Sequence, residues 1–286
     1  MDISILFVAL LAILLNWIAY RKDFYHFELN ARPSVPISFF ELITNFAIYL
    51  IFSLMLAPIF AKLYLKYLNF KDPSITSLSI STISSFQLIT MGAILFGMML
   101  FMDIHNPAIL RRIWKDKLKT SRSSLYDFSR GIIAWFLAFP IVVVISQLCD
   151  YLINSLFGQQ QYEQAAVHFV KTAMQQNGSL FMSMISVIIF APIIEEFLFR
   201  GSLQNFLKVH FGTKAAIQIS ALSFSLFHLT PSQGIGNFSL AVSLFILGLF
   251  LGFLYEKQSS LFASIGLHMT FNTVSAMRII FSTEAT

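Results

Sequence analysis

The chain has 286 residues, 57% of them hydrophobic and only 12% charged, against roughly 25% charged in soluble domains, which excludes an ordinary water-soluble enzyme. Its net charge of +5 requires no nucleic-acid partner, because Lys and Arg collect on the cytoplasmic loops of membrane proteins and set their orientation. The single cysteine, Cys149, excludes an internal disulfide and a multi-cysteine zinc site.

In chain order, the first apolar stretch runs from Ile3 to Tyr20. No basic residue precedes it and no small-residue cleavage site precedes Arg21, so it reads as a retained helix rather than a removable leader. Further apolar spans are predicted near Leu42–Ala61, Ile83–Met102, Gly131–Cys149, Leu180–Arg200, Ala215–Leu229, Phe238–Leu254 and Leu261–Ile280, most of them close to the ~20 residues that cross a bilayer. The fold class is therefore all-α, a polytopic membrane protein of about eight transmembrane helices. Residues 1–130 form the N-terminal helices and a basic cytoplasmic loop, and 131–286 form a second region that holds the polar residues.

With the N-terminus outside, the inner loops hold Arg21, Lys22, Arg32, the basic run from Arg111 to Arg130, Lys208, Lys214 and Lys257. The outer segments hold Lys62, Lys66, Lys71, Lys171 and Arg278. This asymmetry predicts both termini on the non-cytoplasmic side of a cell membrane. Two linkers carry helical patterns. Between Ala108 and Leu118, Ile109, Leu110, Ile113, Trp114 and Leu118 share a face with basic residues around it, which suits a helix lying on an anionic leaflet or equally a solvated basic loop. From Tyr162 to Met174 apolar residues recur at helical spacing, predicting an amphipathic helix against the outer face.

Ionisable residues inside a membrane are costly and invite a functional explanation. The spans up to Ile194 contain almost none, after which Glu195, Glu196, Arg200, His228, His268 and Asn272 follow on three neighbouring helices. Glu196 and Arg200 stand at i and i+4 and can pair on one face. Glu195 points about 100° away, without a local partner, as suits a general base for water. Pro192, one turn upstream, removes a backbone hydrogen bond.

Gly212 is the predicted turn of a helical hairpin. Glu195 lies 17 residues before it and His228 lies 16 after it, so at about 1.5 Å per residue both sit roughly 25 Å from the turn. The last span starts near Ser260 on the same side, placing His268 and Asn272, themselves i and i+4, about 12–18 Å deep. The levels agree if the hairpin projects beyond the bilayer, as the polar residues Gln204, Asn205, Lys208 and His210 suggest. Phe224, one turn before His228, reads as packing. The resulting site is expected to open toward the cytoplasm.

Glu195-Glu196-x-x-x-Arg200, Phe224-x-x-x-His228 and His268-x-x-x-Asn272 resemble the three motifs of the CPBP family of intramembrane proteases, which comprises the type II CAAX prenyl endopeptidases and the bacteriocin-processing and self-immunity (Abi) proteins. The resemblance covers about Leu180 to Ile280. It implies an endopeptidase in which Glu195 and His228 activate water, His268 and Asn272 donate hydrogen bonds to the oxyanion, and the Glu196–Arg200 pair supports the site. It also implies a membrane-associated substrate, prenylated in the eukaryotic relatives, and membrane lipid as the surrounding partner.

Other readings use the same residues. If a metal is present, Glu195, His228 and His268 form a plausible zinc set with an open position. The sequence has no H-E-x-x-H motif, and a glutamate–water mechanism needs no ion, so no cofactor is the preferred expectation. A proton-coupled transporter would also use Glu, His and Arg, but transporters repeat such features in two halves. A non-catalytic scaffold or self-immunity protein would keep the fold without turnover.

Overall fold

The computed structural model describes residues 3–26, 35–68, 79–116, 122–158, 165–174 and 179–284. Arg32, Lys71, the segment 117–119 and the first turn expected at 162–164 lie outside them. Among the described residues there is no strand, and the only β-type pairing is the bridge between Lys115 and Ser260. The chain is an all-α polytopic membrane protein, with five helices long and apolar enough to cross a bilayer.

The helices are α1 (Ile3–Arg21), α2 (Phe39–Tyr67), α3 (Ile80–His105), α4 (Pro107–Trp114), α5 (Ser124–Phe157) and α6 (Ala165–Met174). The next helix, Ser179–Phe227, breaks at Gly212, where φ is 76° and ψ is 171°. Its two arms are α7 (179–211) and α8 (213–227). Then follow α9 (Gly236–Gln258) and α10 (Leu261–Glu284). Glycine tolerates the positive φ that reverses the chain here, so the hairpin expected at Gly212 forms there.

Helix ends follow from local chemistry. Ser38, Ser79, Ser123 and Asn106 cap α2, α3, α5 and α4 through their side chains, and Ser38 forms a full capping box with Glu41, which satisfies orphan N–H groups at the helix start. Phe7, Leu10, Ile13, Leu54, Phe96 and Phe136 stay exposed on the outer surface of the bundle, as lipid-facing side chains do when the solvent is hydrocarbon.

The core has two parts. One gathers Ile94, Met98, Ile113, Phe197, Phe199, Phe224 and Ile265. The other packs Ala134 and Ala138 of α5 against Leu247, Leu251, Ala263 and Leu267. Between α5 and α10 the backbones nearly touch. A Cβ on Gly131 would stand 2.2 Å from the Ala263 carbonyl oxygen, and one on Gly266 would stand 2.3 Å from that of Phe128. Small residues allow such close approach in membrane bundles.

Two expectations change. The described part of the basic segment after α3 is a helix, and protein covers its apolar face. Its helix α4 turns Ile109 and Ile113 into the protein core, and Lys115 pairs with buried Asp127 at 2.8 Å. Burying that apolar stripe against protein leaves the arginines Arg111 and Arg112 on the outer side. Of the polar residues near the Gly212 turn, His210 is exposed but the other three are not solvated. Gln204, Asn205 and Lys208 are buried because α9 supplies partners: Glu256 accepts from Gln204 Nε2 at 3.1 Å and from Lys208 Nζ at 2.5 Å, and Asn205 bonds the Tyr255 hydroxyl at 2.7 Å.

Candidate active site

Glu196, Arg200, Gln204 and Lys208 recur every four residues along α7 and face α9. Arg200 Nη1 donates to Glu196 Oε1 at 2.9 Å, and both side chains are fully buried. Its Nη2 donates to the Gly248 carbonyl at 3.2 Å, and Gln204 Nε2 donates to that of Gly252 at 3.1 Å. Side chains on those glycines would collide, at 2.9 Å with Ala221 Cβ and at 2.7 Å with Gln204 Oε1. The guanidinium also lies over the Phe224 ring, 4.5 Å from its centre. Burial costs both charges their hydration, and partners placed this way offset part of that cost.

Glu195 takes the other direction, as its one-residue offset requires. His228 Nε2 and His268 Nε2 approach its Oε2 to 3.5 and 3.6 Å. The hairpin count is met: α7 and α8 bring Glu195 and His228 level. Both imidazoles are anchored from behind. His228 Nδ1 donates to the Phe224 carbonyl at 2.8 Å, since a carbonyl only accepts, and His268 Nδ1 bonds Glu196 Oε1 at 2.9 Å. With its Nδ1 proton so engaged, the His228 ring in its neutral form presents an Nε2 lone pair toward Glu195. Phe224 is therefore more than packing. Its ring also sits edge-on to His268, with centroids 5.6 Å apart.

The sequence reading missed the bond between Glu196 and His268. One carboxylate oxygen receives both Arg200 and His268, so the supporting pair and the cavity-facing histidine form one network. Asn272 lines the same cavity, but its Nδ2 donates to the Val187 carbonyl at 2.9 Å. The reason is legible in the backbone. Residues Ser186–Phe190 are π-helical, so each carbonyl there looks five residues ahead. Five residues after Val187 stands Pro192, which has no N–H. Asn272 fills the position that proline leaves open.

These groups line a cavity of about 500 Å³. Glu195 is 16% exposed and His228 29%, whereas His268 is 4% exposed, so Glu195 and His228 are the groups most open to a reactant. The cavity extends past Thr230 and Gln233 to Val170 of α6 and Ile279 of α10. That end is opposite the turns at Gly212 and Ser259, whereas the opening was expected on the side of those turns. Helix α6 does rest against this end, with Val170 and Ala173 buried. His26, His105, His168 and His210 do not line this cavity. Among the described residues no group of three or more His, Cys, Asp or Glu is arranged to hold a metal ion.

Residues 177–274, about a third of the chain, match a family model described as type II CAAX prenyl endopeptidase Rce1-like. All six residues lie within that segment, and the resemblance drawn from the motifs holds. Neither a curated protein nor a solved structure matches the chain.

Proposed function

We propose, from the membership of residues 177–274 in the Rce1-like type II CAAX prenyl endopeptidases, that the chain hydrolyses peptide bonds of membrane-associated substrates with a Glu195-activated water. The observation that carries this reading is the convergence of two back-anchored imidazoles on the Glu195 carboxylate in a cavity walled by apolar side chains.

Contacts of 3.5 and 3.6 Å are longer than hydrogen bonds, which run to about 3.2 Å. A water seated above the three atoms reaches all of them. Glu195 takes one of its protons and His228 fixes the second, so the oxygen lone pair faces the scissile carbonyl. The C–N bond breaks as the proton held by Glu195 passes to the leaving nitrogen. A proton on His268 Nε2 and the second amide N–H of Asn272 stabilise the oxyanion, and donors held in a dry site act strongly there. Glu196 and Arg200 hold His268 in place. The substrate is a membrane-anchored or lipidated peptide, since the cavity offers apolar walls and few charges to a water-soluble one.

A zinc reading has one observation in its favour. Metal-binding histidines are commonly anchored through their second ring nitrogen, as both are here. The sequence has no H-E-x-x-H motif and a Glu195-activated water needs no ion, so a metal-independent mechanism is preferred.

The test compares purified wild type with Glu195→Ala and His228→Ala on a farnesylated CAAX peptide and on a membrane-peptide library. Wild type is expected to cleave, and each variant to lose about 10²-fold or more. Equal turnover by all three refutes the assigned roles. No turnover by any of them favours a scaffold or self-immunity protein.

A further inference from the structure

A second cavity of about 290 Å³ lies between α2 and α3, lined by Tyr49, Ala57, Ile83, Phe86 and Ile94 among others. Two residues of α3, Gln87 and Met91, line both this cavity and the one that holds Glu195. They stand one turn apart and form the partition between the two spaces. Met91 is an apolar filler, but Gln87 is an amide about two turns inside a spanning helix. It is half-buried and has no hydrogen-bond partner among the described residues. A polar side chain in a membrane interior normally pays for its place through an interhelical bond or lines a substrate path. Ser84, one turn earlier on the same helix, shows the first solution, bonding Ser183 at 2.9 Å. Gln87 does not.

We infer that Gln87 binds the backbone of the substrate peptide where it passes between the two cavities. Its amide offers N–H donors and one carbonyl acceptor, the complement of a peptide group. The Ser84–Ser183 bond fixes the relative height of α3 and α7, and Gly92 lies beside Phe190 further along, so the helices run in the same direction. From that level Gln87 is three residues on and Glu195 twelve. The difference is roughly 10–13 Å along the axis, or three to four residues of extended peptide at ~3.3 Å each. Gln87 therefore meets the peptide group three to four residues from the scissile bond, and the chain beyond it enters the apolar second cavity. This rests on the endopeptidase reading and adds to it a specificity residue outside the matched segment.

The test measures binding rather than cleavage. The full chain carrying Glu195→Gln, with and without Gln87→Leu, is titrated with a dansylated farnesyl CAAX peptide and with versions N-methylated singly at each peptide bond within four residues of the scissile one. One methylation, three or four residues out, is expected to weaken binding about tenfold when Gln87 is present and to have no effect with Gln87→Leu. Gln87→Asn is expected to restore part of the discrimination, and thermal unfolding should be unchanged by either substitution. The same methylation profile with and without Gln87, or no binding of the parent peptide, overturns the inference. Binding with the expected profile by a wild type that never cleaves would refute the hydrolytic reading instead.

Discussion

Gly131→Ala tests whether distant packing sets the geometry of the site. The added methyl would stand 2.2 Å from the Ala263 oxygen and 2.6 Å from the Leu267 nitrogen, and backbone atoms cannot rotate away. Regaining an ordinary contact of about 3.4 Å requires α5 and α10 to part by about 1 Å, at a cost of roughly 1–3 kcal/mol in strain. Leu267 immediately precedes His268, whose Nδ1 lies 2.9 Å from Glu196. A displacement of that size takes the bond out of range, and a 1 Å misplacement costs about 10²-fold in rate. The assay is kcat/KM on a cleaved peptide in detergent, read beside the thermal unfolding temperature. Gly266→Ala should behave alike. Gly92→Ala is the control, because its methyl would meet only the Phe190 ring at 3.9 Å, an ordinary contact. Activity of Gly131→Ala within twofold of wild type would refute the reasoning.

Further outcomes follow from single contacts. Glu196→Gln leaves Arg200 buried without its anion and should destabilise by about 3–5 kcal/mol, seen in thermal unfolding. Adding Arg200→Met should recover stability but not turnover, and an unchanged single variant would contradict the network. Asn272→Ala strands the Val187 carbonyl and should cost about 1–3 kcal/mol. In a Pro192→Ala background, where residue 192 regains its N–H, that cost should shrink, and a double-mutant cycle showing no coupling would dismiss the explanation. In a Cys149→Ser background, a cysteine at Ser232 should react with an impermeant maleimide from outside intact cells and one at Lys214 should not; the reverse pattern would invert the orientation. Turnover should survive exhaustive chelation, whereas loss restored by zinc would establish the metal reading.

Much of this was legible because a membrane makes polar residues conspicuous. Glu195, Glu196, Arg200, His228, His268 and Asn272 stand out in an apolar chain, and helical rise alone puts Glu195 level with His228 once Gly212 is taken as the turn. The cavity direction was not legible. It depends on where α6 and the 228–236 loop leave space, and no local pattern encodes that. The burial of Gln204, Asn205 and Lys208 was hidden for a related reason: their partners, Glu256 and Tyr255, lie some fifty residues away. Glu256 lies just past the predicted span Phe238–Leu254, and the pairing that buries it had no local sign. Gln87 was overlooked because a single neutral amide in a third helix looks unremarkable until two cavities meet at it.

The irregular backbone around the two glutamates explains how the ladder on α7 is possible. In an α-helix a four-residue step overshoots one turn by about 40°, so Glu196, Arg200, Gln204 and Lys208 would spiral away from α9. Residues Phe197–Gln204 are π-helical, and a turn that closes five residues back rather than four slows that drift and keeps the stripe facing its partners. The wider turn exposes carbonyls, which a bilayer does not tolerate unpaired. Side chains meet that need: Ser220 donates to the Phe199 carbonyl at 2.9 Å, and Asn205 donates to those of Arg200 and Gly201 at 3.2 and 2.8 Å. Asn272 does the same for Val187 in the π-helical stretch before Pro192. The polar residues of the C-terminal region thus fall into two groups, those aimed at the cavity and those that stabilise the distorted helix presenting them, and Asn272 belongs to both.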